Sequence, residues 1–294
     1  NIDYFYERRK DILTPYLTRP QWVGVNMAAG NLGETKNSGF ELELHHNNHI
    51  GKDFRYNVGV TFSHARNEII SMDEPEAKTD YRKLEGHPIN QYFGLLCDGF
   101  VTQADLENKS LPVSTFGNVQ VGDLKYRDMN NDGFIDSRDE TFIGYSDIPE
   151  NTYALTLGCE YKGIGFSIMF QGVDHVSRYY DAEAMYAFVN GGKVKEHHME
   201  RWNPNQSEAY NLSHAKYPLL HYDSYGDHNQ RQNSFFLKNG NVFRLKNIEL
   251  SYSLPIKWIK KVAMNECRIY VNANNLVTWD HLDGLCDPES QGSN

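Results

Sequence analysis

The strongest constraint on this chain is a period of two. In Gly39–His45, GFELELH, Phe40, Leu42 and Leu44 fall on one side while Glu41, Glu43 and His45 fall on the other. The next stretch repeats the pattern, with Tyr56, Val58, Val60 and Phe62 against Asn57, Gly59, Thr61 and Ser63. Turn residues at Asn47–Lys52 separate the two, so the pair predicts a hairpin. A second hairpin is predicted over 151–172. There Tyr153, Leu155, Leu157, Cys159 and Tyr161 alternate with Ala154, Thr156, Gly158 and Glu160, Lys162-Gly163 makes the turn, and Phe166, Ile168 and Phe170 return. In two closing strands Ile248, Leu250, Tyr252 and Leu254 oppose Asn247, Glu249, Ser251 and Ser253, and Ile269, Val271 and Ala273 oppose Arg268, Tyr270, Asn272 and Asn274. A noisier strand is predicted at Gln91–Phe100, a helical turn in PIKWIKKV, and a short helix over Lys193–Trp202 that Asn203-Pro204 ends.

Alternation of this kind has two physical solutions. A soluble antiparallel sandwich buries the apolar face. A transmembrane β-barrel turns it to lipid and keeps a polar lumen. Periodicity does not choose between them. No run approaches 18 apolar residues, so a transmembrane helix is excluded, but spanning strands are not. The chain opens with no apolar h-region of a leader. The formal charge is −10, and the short basic clusters are Arg8-Arg9-Lys10 and Lys257 with Lys260-Lys261, which argues against a nucleic-acid surface. Cys97, Cys159, Cys267 and Cys286 form no CxxC; three pairings are open and redox compartment is undetermined.

Strand patterning lapses over 101–150 and 174–234, which read as long loops. Tyr179, Tyr180, Tyr186, Trp202, Tyr210, Tyr217, Tyr222 and Tyr225 cluster in the second. Such rings either stack on sugars, line a protein interface, or lie buried beneath the loops. In the first loop, DMNNDGFIDSRD at 128–139 places oxygen donors at positions 1, 3, 5, 9 and 12: Asp128, Asn130, Asp132, Asp136 and Asp139. Gly133 stands where the loop must turn, the carbonyl of Phe134 can point inward, and Ile135 can anchor the loop to an apolar neighbour. This is EF-hand spacing for a hard cation, Ca²⁺ as a structural ion, although position 12 is Asp and Glu140 comes one place late. A solvated Asx- and Gly-rich turn is the alternative. Extended flanks argue against a calcium sensor. His45-His46, His49, His197-His198, His214, His221 and His228 make no defensible ligand set. GxSxG, GxxxxGK[ST] and GxGxxG are all absent, and nothing indicates an enzyme.

Four pieces, in order, carry a family likeness: DYFYERRKDIL (Asp3–Leu13), NLGETKNSGFELEL (Asn31–Leu44), VGDLKYRDMNNDGFIDSRDETFIGYSDIPE (Val121–Glu150), and FFLKNGNVFRLKNIELSYSLPIKWIKK with CRIYVNANNLVTW and Asp287-Pro288-Glu289. The chain resembles the C-terminal barrel region of SusC/RagA-family TonB-dependent outer-membrane receptors. That resemblance implies an all-β fold: roughly eight to ten strands of a 22-stranded antiparallel transmembrane β-barrel with long extracellular loops, in a bacterial outer membrane. It implies import of oligosaccharides or peptides, a SusD-like lipoprotein closing over the loops, and drive from the TonB complex. The plug, the TonB-contacting segment, the earlier strands and a final strand would lie outside this stretch. The competing expectation is a soluble, extracellular, calcium-stabilised β-rich carbohydrate-binding module.

Overall fold

The computed structural model describes residues 1–15, 28–74, 79–180, 185–189, 192–222, 228–260, 264–284 and 287–289. Seven strands form one antiparallel wall: β1 (Ile2–Thr14), β2 (Gly30–Ile50), β3 (Phe54–Ser71), β4 (Asn151–Tyr161), β5 (Ile164–Asp174), β6 (Val242–Ser253) and β7 (Arg268–Asp280). Each pairs with its neighbour in that order, and β1 and β7 remain edges. The wall is an open arc of a barrel. Among the described residues it contains seven strands; Gln91–Phe100, expected as one strand, breaks into two short strands, Gln91–Gly94 and Cys97–Phe100, that leave the wall and pair with Thr141–Ser146 and Leu124–Tyr126. The helix expected over Lys193–Trp202 is a 3₁₀ turn at Glu196–Glu200.

Register turns the period of two into two surfaces. Residues directly opposite each other in an antiparallel pair project to the same face, so each row can be followed across the wall. One row runs Leu42, Phe62, Tyr153, Gly172, Phe243, Trp279; another runs His46, Val58, Leu157, Ile168, Ile248, Ala273; a third runs Ile50, Phe54, Tyr161, Ile164, Tyr252, Ile269. The rows between them are polar or small: Glu43, Thr61, Ala154, Gln171, Arg244, Thr278, and then Asn47, Asn57, Gly158, Ser167, Glu249, Asn272. At Lys246 the register shifts between Leu245 and Asn247, so Leu245 and Ile248 share the apolar face at odd spacing. That bulge explains why simple alternation breaks in VFRLKNIEL.

The apolar face is bare. Ile2, Tyr4, Leu44, Ile50, Leu250, Ile269 and Val271 are all more than half exposed, and the seven-stranded wall is the only sheet of more than two strands among the described residues. A soluble sandwich would cover this face with a second sheet. From Tyr153 to Tyr161 the strand rises about 26 Å, the scale of the roughly 25 Å apolar band of outer-membrane barrels. Aromatic rings mark both edges of that band. Phe243 stacks at 5.5 Å on Phe170 and on Trp279 near one edge, while Phe54 and Tyr56, 6.2 Å apart, lie near the other with Tyr161 and Tyr252. Among the described residues, no helix is long and apolar enough to cross a membrane.

The two faces predict different tolerance to charge. Leu157→Arg should lower the unfolding free energy of the protein by about 2–4 kcal/mol. Thr156→Arg, one residue away on the polar face, should have a much smaller effect. Denaturant unfolding in lipid vesicles measures both.

Candidate functional site

The connections follow the same division of ends. At one end the strands are joined by residues 51–53, 162–163 and 254–267; at the other, residues 72–150 join β3 to β4 and residues 175–241 join β5 to β6. These two long connections fold into one body with its own core of Leu95, Leu124, Tyr126, Ile135, Met185, Tyr186, Val189, Tyr217 and Phe236. Their backbones are interleaved. Leu95 N donates to Gln232 O and Ser234 N to Leu95 O, both at 2.9 Å, and Leu219 N donates to Gly122 O at 2.8 Å. Gly122, at φ +94°, lies so close beneath the Trp202 indole that a Cβ would stand 2.4 Å from the ring. Only glycine allows both that backbone and that contact.

Buried polar groups tie the two segments together. Asp123 is 1% exposed. It accepts from Gln120 N at 2.7 Å and Asn229 Nδ2 at 2.8 Å, and it faces His221 Nε2 at 2.6 Å. Asn233, fully buried, donates to Tyr126 Oη at 3.1 Å and accepts from Phe235 N at 2.9 Å. His228 joins Ser114 Oγ through Nδ1 at 2.8 Å and Leu124 O through Nε2 at 2.6 Å. His198 Nδ1 accepts from Lys195 N at 3.0 Å while Nε2 donates to Met185 O at 2.7 Å, which selects the neutral ring; burial lowers its pKa accordingly. His214 stacks on Tyr210 at 4.2 Å. His198, His214, His221 and His228 are structural hydrogen-bonding groups, and sequence spacing alone could not pair His221 and His228 with partners about a hundred residues away.

The oxygen-rich loop is folded back on its own amides. Asp128 Oδ2 accepts from Gly133 N at 2.8 Å, Asn130 Oδ1 from Asp132 N at 2.9 Å, and Asp132 Oδ1 from Phe134 N at 2.9 Å. Asp139, fully buried, accepts from Met129 N and Asp136 N, each at 2.9 Å. Gly133 turns the chain at φ +83°. Ile135 enters the core of the loop body, while the Phe134 side chain is half exposed. Arg138 bridges Asp132 and Asp136, 2.7 Å from each, and holds the Asp136 carboxyl below its ordinary pKa. Among the described residues, no group of three or more His, Cys, Asp or Glu side chains is arranged to hold a metal ion.

Most of the loop aromatics are core. Trp202, Tyr186 and Tyr217 are buried, Tyr179 and Tyr180 pack against them, Tyr210 and Tyr222 are exposed, and Tyr225 lies outside the described residues. Recesses remain among the described residues. A polar one of about 1160 Å³ lies on the wall near the short turns, lined by Asn57, Gly158, Ser167, Glu249, Ser251 and Arg268. A mainly apolar one of about 440 Å³ lies in the loop body beside α1 (Gln103–Glu107), walled by Leu106, Leu111, Pro112 and Val119. Two arginines of the long connections lie over aromatic rings. The Arg231 guanidinium lies 4.1 Å over the Phe116 ring and that of Arg82 lies 5.6 Å over Phe93, and the Nε of each is buried without a hydrogen-bond partner. Both act electrostatically on Glu140, whose carboxyl is nevertheless raised by burial. No sequence signal links residues 82, 140 and 231.

The His198 geometry sets a pH dependence. Its folded pKa lies below the ordinary 6.5, so the folded loop body binds fewer protons than the unfolded one. The stabilisation is complete above pH 6.5 and declines as pH falls from there through the lowered folded value. Hydrogen exchange of residues 185–202 should accelerate, after correction for intrinsic rates, between pH 7.5 and 5.5, and His198→Gln should flatten that dependence.

No family model matches the chain. It is 25% identical over 306 residues to TonB-dependent receptor P26 of Formosa agariphila, and 22% identical over 308 residues to TonB-dependent receptor P3 of that organism. Both alignments take in all of this chain and 29% of the relative, so the chain spans less than a third of the proteins it matches. Its fold matches the structure of the RagAB peptide transporter, with a TM-score of 0.68 at 19% identity over 99% of this chain and 31% of the other. It also matches the RagAB peptide importer in the open-open state, with a TM-score of 0.70 at 21% identity over 99% and 30%. These relatives are receptors and transporters rather than enzymes. Likeness along the whole chain to TonB-dependent receptors, a fold shared with the RagAB structures and a bare apolar face with aromatic edges together describe a stretch of outer-membrane β-barrel wall with attached loops.

Proposed function

We propose that the chain serves nutrient import across the outer membrane, supplying a polar stretch of barrel wall and the outer body that meets solute. The observation that carries this is the joint folding of two long connections into a cored body above a wall whose other face is polar. Peptides are the favoured solute class. The loop aromatics are largely spent on the core, and Tyr210, on α2 (Glu208–His214), and Tyr222 are the exposed rings of the second loop's set. Sugar-stacking faces are therefore few, whereas a peptide needs hydrogen-bonding edges and charged partners, which Arg82, Arg231 and Glu140 offer. The solved neighbours described as a peptide transporter and importer support the same class. A SusD-like surface lipoprotein would cover the loop body, and the TonB complex would act through parts of the receptor beyond this chain. Cells carrying the full receptor should accumulate labelled oligopeptides in a TonB-dependent manner. Accumulation of oligosaccharides alone would reject the peptide assignment.

The loop at 128–139 is proposed to accept a structural divalent cation, Ca²⁺ by preference, in exchange for Arg138. Displacing that guanidinium frees Asp132 and Asp136 to join Asp128, Asn130, Asp139 and the Phe134 carbonyl as an all-oxygen set. The ion would stiffen the loop and take no part in transport chemistry. Chelation should therefore speed hydrogen exchange over residues 120–145 without unfolding the wall, and Arg138→Ala should tighten calcium binding measured by calorimetry. Exchange unchanged by chelator would dismiss the ion.

A further inference from the structure

Among the connections at the short-turn end, that between β6 and β7 is the long one, and it carries a helical turn, α3 (Ile256–Ile259). Its neck is closed directly below the Tyr252–Ile269 row, where Leu254 N donates to Cys267 O at 2.9 Å. Trp258 N donates to Pro255 O at 2.9 Å, and Met264 N returns to Ile259 O at 3.2 Å, so the turn is fastened at both ends. Ile259 is 4% exposed and faces inward, whereas Ile256 is 59% exposed, Trp258 62% and Met264 46%. Lys257 and Lys260 on the same turn are exposed as well.

Such a cluster is costly in water and unusual at a rim that only touches water. Immediately above it stand Leu250, Ile269 and Val271, which belong to the face that lipid covers in an outer-membrane barrel. The exposed Ile256, Trp258 and Met264 lie in the connection that directly follows that face in the chain, and the exposed lysines are interspersed with them. An indole prefers the headgroup level, with its ring in the acyl boundary and its N–H toward water. A lysine beside it lays its stem along apolar surface and extends its ammonium to phosphate. Short turns of outer-membrane barrels face the periplasm.

We propose that α3 is an interfacial foot of the receptor, lying in the periplasmic leaflet with Trp258 and Ile256 in the acyl–headgroup boundary and Lys257 and Lys260 on anionic phospholipid headgroups. The inference rests on the outer-membrane barrel assignment, and its test separates the two. The full receptor is placed in nanodiscs of brominated phosphatidylcholine, with and without phosphatidylglycerol. Trp279, on the opposite aromatic edge, serves as the control for barrel placement. The tryptophan emission lost on bromination should be smaller in both Trp258→Phe and Trp279→Phe than in the unaltered receptor. The pair Lys257→Glu and Lys260→Glu should weaken phosphatidylglycerol retention, read by native mass spectrometry, roughly tenfold. Lys257→Gln with Lys260→Gln should give a smaller loss in the same direction, which keeps the charge test available if the reversal disturbs folding. Quenching of Trp279 without Trp258 would overturn the foot and leave the barrel standing. Quenching of neither would overturn both. Unchanged phosphatidylglycerol retention in both lysine variants would overturn the headgroup contact, and loss of Trp258 quenching on adding a periplasmic protein extract would assign the face to a protein instead.

Discussion

The hydrogen-bonded ladder across the seven wall strands is the constraint on which everything else depends. In hydrocarbon each unpaired backbone N–H or C=O costs several kcal/mol, so strands can stand in a bilayer only when every neighbour is paired. The ladder also imposes register. A one-residue slip between β3 and β4 would set Phe62 against Ala154 or Thr152 and carry a whole apolar row to the polar face. The pairing of rows from β2 to β7, interrupted by a register shift at Glu34 and by the bulge at Lys246, gives a wall that is apolar on one side and polar on the other. Among the described residues β1 and β7 are the edges of the wall.

The loop body rests on that wall but is stabilised differently. It has little regular ladder of its own. Its short strands pair two at a time, and its coherence comes from a small apolar core and from buried side chains that stand in for missing backbone partners. Asp123, Asn229, Asn233 and His228 do this work across a hundred residues of sequence. Partly satisfied networks of this kind would be destabilising; satisfied ones specify a single arrangement. A body built so has a defined surface with recesses and charged groups, which a pair of independent floppy loops would lack.

Three features shape how the receptor meets its surroundings. In the proposed function the polar wall would line a hydrated path, the loop body would meet solute, and the foot at α3 would set the depth of the barrel in its leaflet. Arg244 adds a tie from wall to chain end: nearly buried on the polar face, it binds Asp287 at 2.9 Å and Glu289 at 2.7 Å, while Lys246 holds Glu289 at 2.6 Å. The Asp287-Pro288-Glu289 motif in the family likeness thus has a structural purpose, bringing the segment after β7 back onto the polar face.

Much of the wall was legible because a strand's side-chain period is local. Both hairpins, the turn at Lys162-Gly163 and the facing of Ile248 and Ile269 follow from neighbours in sequence. The donor spacing at 128–139 was legible for the same reason, and so was the anchoring of Ile135. Alternation did not say which medium covers the apolar face, because lipid and a second sheet ask for the same residues; the uncovered face and the family likeness decided that. The fate of the loop aromatics was likewise open, since a tyrosine has the same local sequence whether it stacks on a ligand or fills a core. By itself the sequence determined the strands, their two faces and an oxygen-rich turn. Only the tertiary structure decided that two distant loops share one core, that Arg138 spans Asp132 and Asp136, and that Arg82 and Arg231 both act on Glu140. Those outcomes depend on contacts between residues far apart in the chain, which no local period encodes.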